Sequence, residues 1–184
     1  DDPQARGALD RIVRAIDRAI SLCERTLAYG RSDEPLPAKR DLAVRPLVQD
    51  VIASLSADHR VDWHNRADES ATVYADPEQL YRILLNLCRN ACAAIEGARD
   101  TGSVTISTDE NADGTIIRVA DTGPGLPAKA ENNLFVPYVS QSALGGTGLG
   151  LTIVHELMTA HGGEVDLEKS DADGATFRLW FPRN

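Results

Sequence analysis

At 184 residues and 42% hydrophobic composition, the chain has material for one full-sized core and a small helical appendage, and too little for two large domains. Its net charge of −9 argues against nucleic-acid partners and against contact with anionic membrane, because both need a positive field. The three cysteines, Cys23, Cys88 and Cys92, are an odd set without CxxC spacing, which points away from disulfides and zinc and toward a reduced, cytoplasmic protein.

From Leu9 to Leu27 the apolar positions Leu9, Ile12, Val13, Ile16, Ala19, Ile20, Cys23 and Leu27 recur at threes and fours, which predicts an amphipathic helix. A lone helix cannot bury such a stripe. It packs on a neighbouring helix, on the rest of the chain or on a second copy, unless it is an ordinary surface helix of one domain. Residues 33–41 carry two prolines and read as a linker, which divides an appendage over 1–32 from a main domain over 42–184. No apolar run approaches the roughly 18 residues of a membrane span, and the acidic start lacks a signal-peptide pattern.

Within the main domain the periodicity predicts a helix over Val44–Leu55, short strands over Val61–Asn65 and Thr72–Tyr74, and a long helix opening at Asp76. Asp76 can cap that helix, Pro77 suits its first turn, and Gln79 can complete a capping box. Strands follow over Ser103–Thr108 and Thr115–Ala120, turning at Asn111–Gly114. A Gly/Pro-rich stretch then runs to Gly150, a helix to about Ala160, and strands cover Glu164–Lys169 and Ala175–Phe181. Helices interleaved with antiparallel hairpins imply an α+β sandwich rather than a doubly wound parallel sheet.

Three segments can carry chemistry. On the long helix, Leu80, Leu84, Leu87, Ala91 and Ala94 fall along one line, and Asn86 and Asn90 stack on its flank. Asparagine is a poor mid-helix residue. The pair serves either as amide-oxygen ligands for a hard cation such as magnesium or as partners for solvent. Asp121-Thr122-Gly123-Pro124-Gly125 places an acid at a strand end before two glycines, as an ordinary turn or as a carboxylate acceptor beside a flat ring. Gly145-Gly146-Thr147-Gly148-Leu149-Gly150 leads into a helix, where exposed N–H groups and the helix dipole suit a phosphate. The order is neither GxGxxG nor a P-loop.

In this order, Asn86-Leu-Cys-Arg-Asn90-Ala91, Asp121-Thr-Gly-Pro-Gly125 and Gly146-Thr-Gly-Leu-Gly150-Leu resemble the N, G1 and G2 boxes of the GHKL ATPase superfamily. They are most similar to the catalytic domain of sensor histidine kinases of the nitrogen-regulator type. Leu134-Phe135-Val136-Pro137-Tyr138 looks like the F box of the ATP lid, and His161-Gly162-Gly163 with Thr176-Phe177 to Phe181-Pro182 is similar to the family's ending.

The resemblance implies a two-layer α/β sandwich with a mixed sheet, preceded by the second helix of a dimerisation hairpin over residues 1–32. It implies ATP and magnesium as cofactors. Asn90 would coordinate the metal with Asn86 and Arg89 nearby, Asp121 would accept the adenine amino group with support from Thr176, and Gly123 and Gly125 would line the base pocket. Gly146, Gly148 and Gly150 would close on the phosphates. The lid, over about Leu126–Gly145, would be mobile without nucleotide.

Two departures stand out: Ala93 replaces a lysine frequent in the family, and Gln141 and Ser142 follow the F box where a basic residue is common. The basic partner of the γ-phosphate is thus unassigned, with Lys129 as the candidate. His59, His64, His155 and His161 lie outside any H-box pattern and read as structural or surface residues. The implied function is transfer of the ATP γ-phosphoryl group to a histidine outside this chain, with a response regulator as partner and a homodimeric parent. The rival readings are a degenerate docking or scaffold module, an anti-sigma-type serine kinase and an ATP-driven clamp.

Overall fold

A computed structural model describes residues 35–56, 60–98, 101–127, 133–137 and 148–183. The chain divides into two units, Asp1–Pro35 and Leu36–Asn184. The amphipathic helix expected over Leu9–Leu27 lies outside the described residues, as do Cys23, His59, Lys129 and the stretch from Tyr138 to Thr147.

The second unit opens with β1 (Arg40–Ala43), which takes up the last two residues of the segment read as linker, and α1 (Val44–Leu55). Then come β2 (Val61–Arg66), β3 (Thr72–Ala75), α2 (Pro77–Ala98), β4 (Gly102–Glu110) and β5 (Gly114–Asp121). After the lid segment follow α3 (Gly150–His161), β6 (Glu164–Asp171) and β7 (Gly174–Pro182).

β1 pairs antiparallel with β3 in a two-stranded sheet. The main sheet has five strands in the order β2-β4-β5-β7-β6. β2 runs parallel to β4 and the other pairs are antiparallel, so the sheet is mixed.

Period-two alternation gives this sheet one apolar face. Val104 and Ile106 of β4, Ile117 and Val119 of β5, and Phe177, Leu179 and Phe181 of β7 are buried there. α2 packs against β4 and β5, and α3 against β6 and β7. The opposite face is polar: Arg118 pairs with Glu168 at 2.7 Å and Arg178 with Asp166 at 2.8 Å. The result is a two-layer α+β sandwich, as the resemblance implies.

α2 is the spine of the helical layer. Leu80, Ile83, Leu84, Leu87, Cys88, Ala91 and Ile95 form its buried stripe. A large aliphatic side chain buried this fully contributes about 1.5–3 kcal/mol by leaving water, so Leu84→Ala would cost about 2–5 kcal/mol once the cavity is included. Its start is fixed by Asp76, whose Oδ1 accepts from the amides of Glu78 and Gln79 at 3.0 Å each. Burial raises the Asp76 pKa, but the amides of Gln79, Ala38 and Glu78 outweigh it and hold this carboxyl below its ordinary value. The N–H of Asp76 itself, which a capping box would give to Gln79, donates to Nε2 of His161 at 3.1 Å.

Candidate functional site

Asn86 and Asn90 project from the flank of α2 that meets the start of α3. Asn86 is half-buried, and its Nδ2 donates to the Arg82 carbonyl at 2.8 Å, which leaves its amide oxygen for another partner. Asn90 and Arg89 are exposed, and their side chains bond no other group among the described residues. A Cβ placed on Gly150 would meet Asn86 Oδ1 and Asn90 Oδ1 at 3.5 Å each. The first residue of α3 therefore faces the asparagine pair across a gap that glycine keeps open.

That end of α3 has no side-chain cap and no acidic residue in its first turn. Its leading N–H groups and the positive end of its dipole are available to an anion. Gly148, just upstream, has φ of 69°, a left-handed conformation that a side chain would strain. Gly146 lies outside the described residues.

One helical turn beyond Asn90, the α2 backbone meets the second motif. A Cβ on Gly123 would lie 3.2 Å from the Cβ of Ala94. Asp121 ends β5, and its Oδ1 accepts from the Gly123 amide at 2.8 Å and from the Ala175 amide at 3.4 Å. Burial raises the pKa of this carboxyl, and those two amides offset the effect in part. No donor among the described residues reaches Oδ2, so the carboxylate keeps an acceptor free. Gly125, with φ of 70°, packs on the Asp171 carbonyl oxygen so closely that a side chain there would collide with it.

Thr176 is placed differently from its neighbours. Its register partner is Ala120, whereas Asp121 pairs with Val104 on the buried face. Successive strand residues point to opposite faces, so the Thr176 side chain lies on the side of the sheet away from Asp121. The group that reaches Asp121 from β7 is the Ala175 amide. The sequence did contain the signal, since the buried alternation of Phe177, Leu179 and Phe181 continues back to Ala175 and not to Thr176.

Part of the lid segment is anchored on α3. Leu134 is buried, the Phe135 carbonyl accepts from Thr152 Oγ1 at 3.2 Å, and the Phe135 ring lies 5.2 Å from that of His155. His161 is buried at 1% exposure, with Nδ1 bonded to the Leu157 carbonyl at 2.7 Å and its ring edge-on to Phe181. Its role is structural, as read.

The pieces define a nucleotide-binding ATPase domain. Residues 75–184 match the family described as Histidine kinase-, DNA gyrase B-, and HSP90-like ATPase, and the chain belongs to that family. Within it the similarity is to sensor histidine kinases. The chain is 38% identical to the sensor histidine kinase ZraS of Escherichia coli K12 over 64% of its own length and 24% of the relative's. It is 27% identical to the nitrogen regulation protein NtrY of Azorhizobium caulinodans over 92% of its length and 22% of that protein. Among solved structures, full-length ShkA in complex with AMPPNP superposes with a TM-score of 0.77 at 25% identity, covering 99% of this chain and 40% of that one.

The chain thus spans about a quarter of the length of the curated relatives it matches first. It carries the ATP-binding catalytic domain of the histidine kinase type. Among the described residues, no helix is long and apolar enough to cross a membrane.

Proposed function

We propose that this domain holds ATP as a magnesium complex along α2, with the base at Asp121 and the phosphates at the start of α3. The observation that carries this is the convergence of two distant glycine segments on one helix face: Gly150 against Asn86 and Asn90, and Gly123 against Ala94. From Asn86 to Ala94 the helix rises about 12 Å at 1.5 Å per residue, a span comparable to an extended nucleoside triphosphate.

The residues fit the groups they would hold. The free Oδ2 of Asp121 is an acceptor-only site suited to an exocyclic amino group, and Gly123 and Gly125 let a flat ring approach the backbone. Asn90, with the Asn86 oxygen beside it, offers the hard amide-oxygen donors that magnesium takes. Arg89 adds positive charge, and the uncapped start of α3, with Gly148, Gly150 and Gly146 upstream, suits phosphate oxygens. Thr176 is left out of this assignment because of the face it occupies. When bound, magnesium would neutralise charge on the phosphates, and the protein's own contribution is to position and screen them.

In this reading the γ-phosphoryl group passes to a histidine that is not among the four of this chain, in a homodimeric parent, and from there to a response regulator. A cytoplasmic location accords with the use of ATP. Calorimetric titration with AMPPNP, with and without magnesium, tests the core of the proposal. Saturable, magnesium-assisted binding is expected. No binding by the intact chain would sink it and leave a docking module that keeps the fold without the chemistry.

A further inference from the structure

The hairpin between β6 and β7 meets the Asp121–Leu126 segment at four points. Gly174, at φ of 141°, lies against the Asp121 carbonyl oxygen so closely that a side chain there would collide with it. The Ala175 amide reaches Asp121 Oδ1 at 3.4 Å. The Asp171 carbonyl oxygen sits against Gly125, and Ser170 Oγ accepts from the Leu126 amide at 2.8 Å. Of these contacts only the last is made by a side chain of the hairpin, so it is the one a substitution can remove without rebuilding the turn.

We infer that Ser170 is a positioning residue for nucleotide binding, its hydroxyl fixing the far end of the glycine turn whose near end is Asp121. Gly123 and Gly125 make this turn permissive, and ordering glycine costs more backbone entropy than ordering any other residue. A turn of this kind keeps one geometry only if both ends are held. Asp121 holds the near end through the β5 ladder and the Gly123 amide.

At the far end, Pro127 has no N–H to offer and restricts Leu126 to extended backbone. The Leu126 amide is thus the last donor of the turn, and Ser170, half-buried on β6, is its acceptor. Without that bond the turn would sample other conformations, and the base site that Gly123 and Gly125 would line beside the Asp121 carboxylate would be populated only part of the time. Affinity falls by the fraction of molecules that are binding-competent.

The inference rests on the reading of Asp121 and its glycines as the base site, and the test separates the two. Ser170→Ala and Ser170→Thr are compared with the unaltered chain by AMPPNP calorimetry, by hydrogen exchange at the Leu126 amide and by thermal unfolding. Loss of one neutral hydrogen bond predicts about three- to tenfold weaker binding and a similar acceleration of Leu126 exchange in Ser170→Ala. The Thr variant, which keeps the hydroxyl, should restore both. Binding by Ser170→Ala equal to that of the unaltered chain would overturn this inference alone. A loss that tracks a lowered unfolding midpoint and is not rescued by Thr would overturn it as well, by making the residue merely structural. Absence of binding by the unaltered chain would remove the nucleotide reading and this inference with it.

Discussion

The ring of His161 and the backbone of Asp76 share a hydrogen bond of 3.1 Å that ties the end of α3 to the start of α2. These are the two helices that bring Gly150 to Asn86 and Asn90. Nε2 can accept from the Asp76 amide only while it is unprotonated, so the proton of the neutral ring sits on Nδ1, facing the Leu157 carbonyl at 2.7 Å. The contact that aligns the two helices therefore needs a neutral imidazole.

Stability should reflect this between pH 7.5 and 5.5. Burial lowers the His161 pKa and Lys39 lowers it further, against the opposing pull of the Leu157 bond and the Asp76 carboxylate. An unfolded imidazole titrates near about 6.5, so below that value the unfolded state takes up a proton that the folded state resists. Unfolding then binds protons, and stability falls as pH falls. His161→Gln is expected to lose about 1–3 kcal/mol at pH 7.5 from broken bonds, yet to show a flatter slope over the same window. Urea unfolding at several pH values measures both, and equal slopes in the two proteins would refute the assignment. Asp76, held below the ordinary carboxylate range, makes its own contribution only at lower pH.

Asp121 carries the opposite sign. Its folded pKa is raised by burial, so ionisation at neutral pH costs stability, and that cost is relieved as pH falls through the folded pKa. Asp121→Asn is expected to leave the unfolding midpoint unchanged or slightly higher, because the amide oxygen can still accept from Gly123 and Ala175. It exchanges a charged acceptor for one that can present a donor, and bonds to charged groups are worth about 1.5–3 kcal/mol. AMPPNP affinity should therefore drop about ten- to a hundredfold. Full affinity in a folded variant would show that this carboxylate does not meet the base.

Much of this was legible from the chain. The start of α2 followed from Asp76 and Pro77, and the polar interruption at Asn86 and Asn90 marked the side of the helix that meets Gly150. What escaped was non-local. β1 is four residues long with only Leu42 half-buried, so period two had almost nothing to register. The partner of the Asp76 amide lies 85 residues away, and a capping box was the local solution the sequence offered. Thr176, by contrast, was assigned by motif against a local signal, since the apolar alternation of Phe177, Leu179 and Phe181 runs back to Ala175. Ser170 falls just past the strand read over Glu164–Lys169, as one more polar residue near a turn, until the hairpin brings it to Leu126.

Asn90 should separate stability from function in a second way. Its side chain is exposed and makes no hydrogen bond among the described residues, so Asn90→Ala breaks none there. The substitution also gains about 0.5 kcal/mol of helix propensity. An unfolding midpoint equal to or above that of the unaltered chain is expected, together with loss of the magnesium-dependent part of AMPPNP affinity. If magnesium strengthened binding equally in both proteins, the metal would have to be held elsewhere.

Gly150 offers the most direct test of the gap itself. A Cβ there would lie at ordinary contact distance from both asparagines, at 3.5 Å from each amide oxygen, and Gly150 is not among the positive-φ glycines. Gly150→Ala should fold without strain and gain up to about 1 kcal/mol, because alanine loses less backbone entropy in a helix. The same methyl group would occupy the space between the uncapped N–H groups of α3 and the asparagine oxygens. AMPPNP affinity is expected to fall at least tenfold while the unfolding midpoint holds or rises. Undiminished binding would count against placing the phosphates between the start of α3 and the asparagine pair.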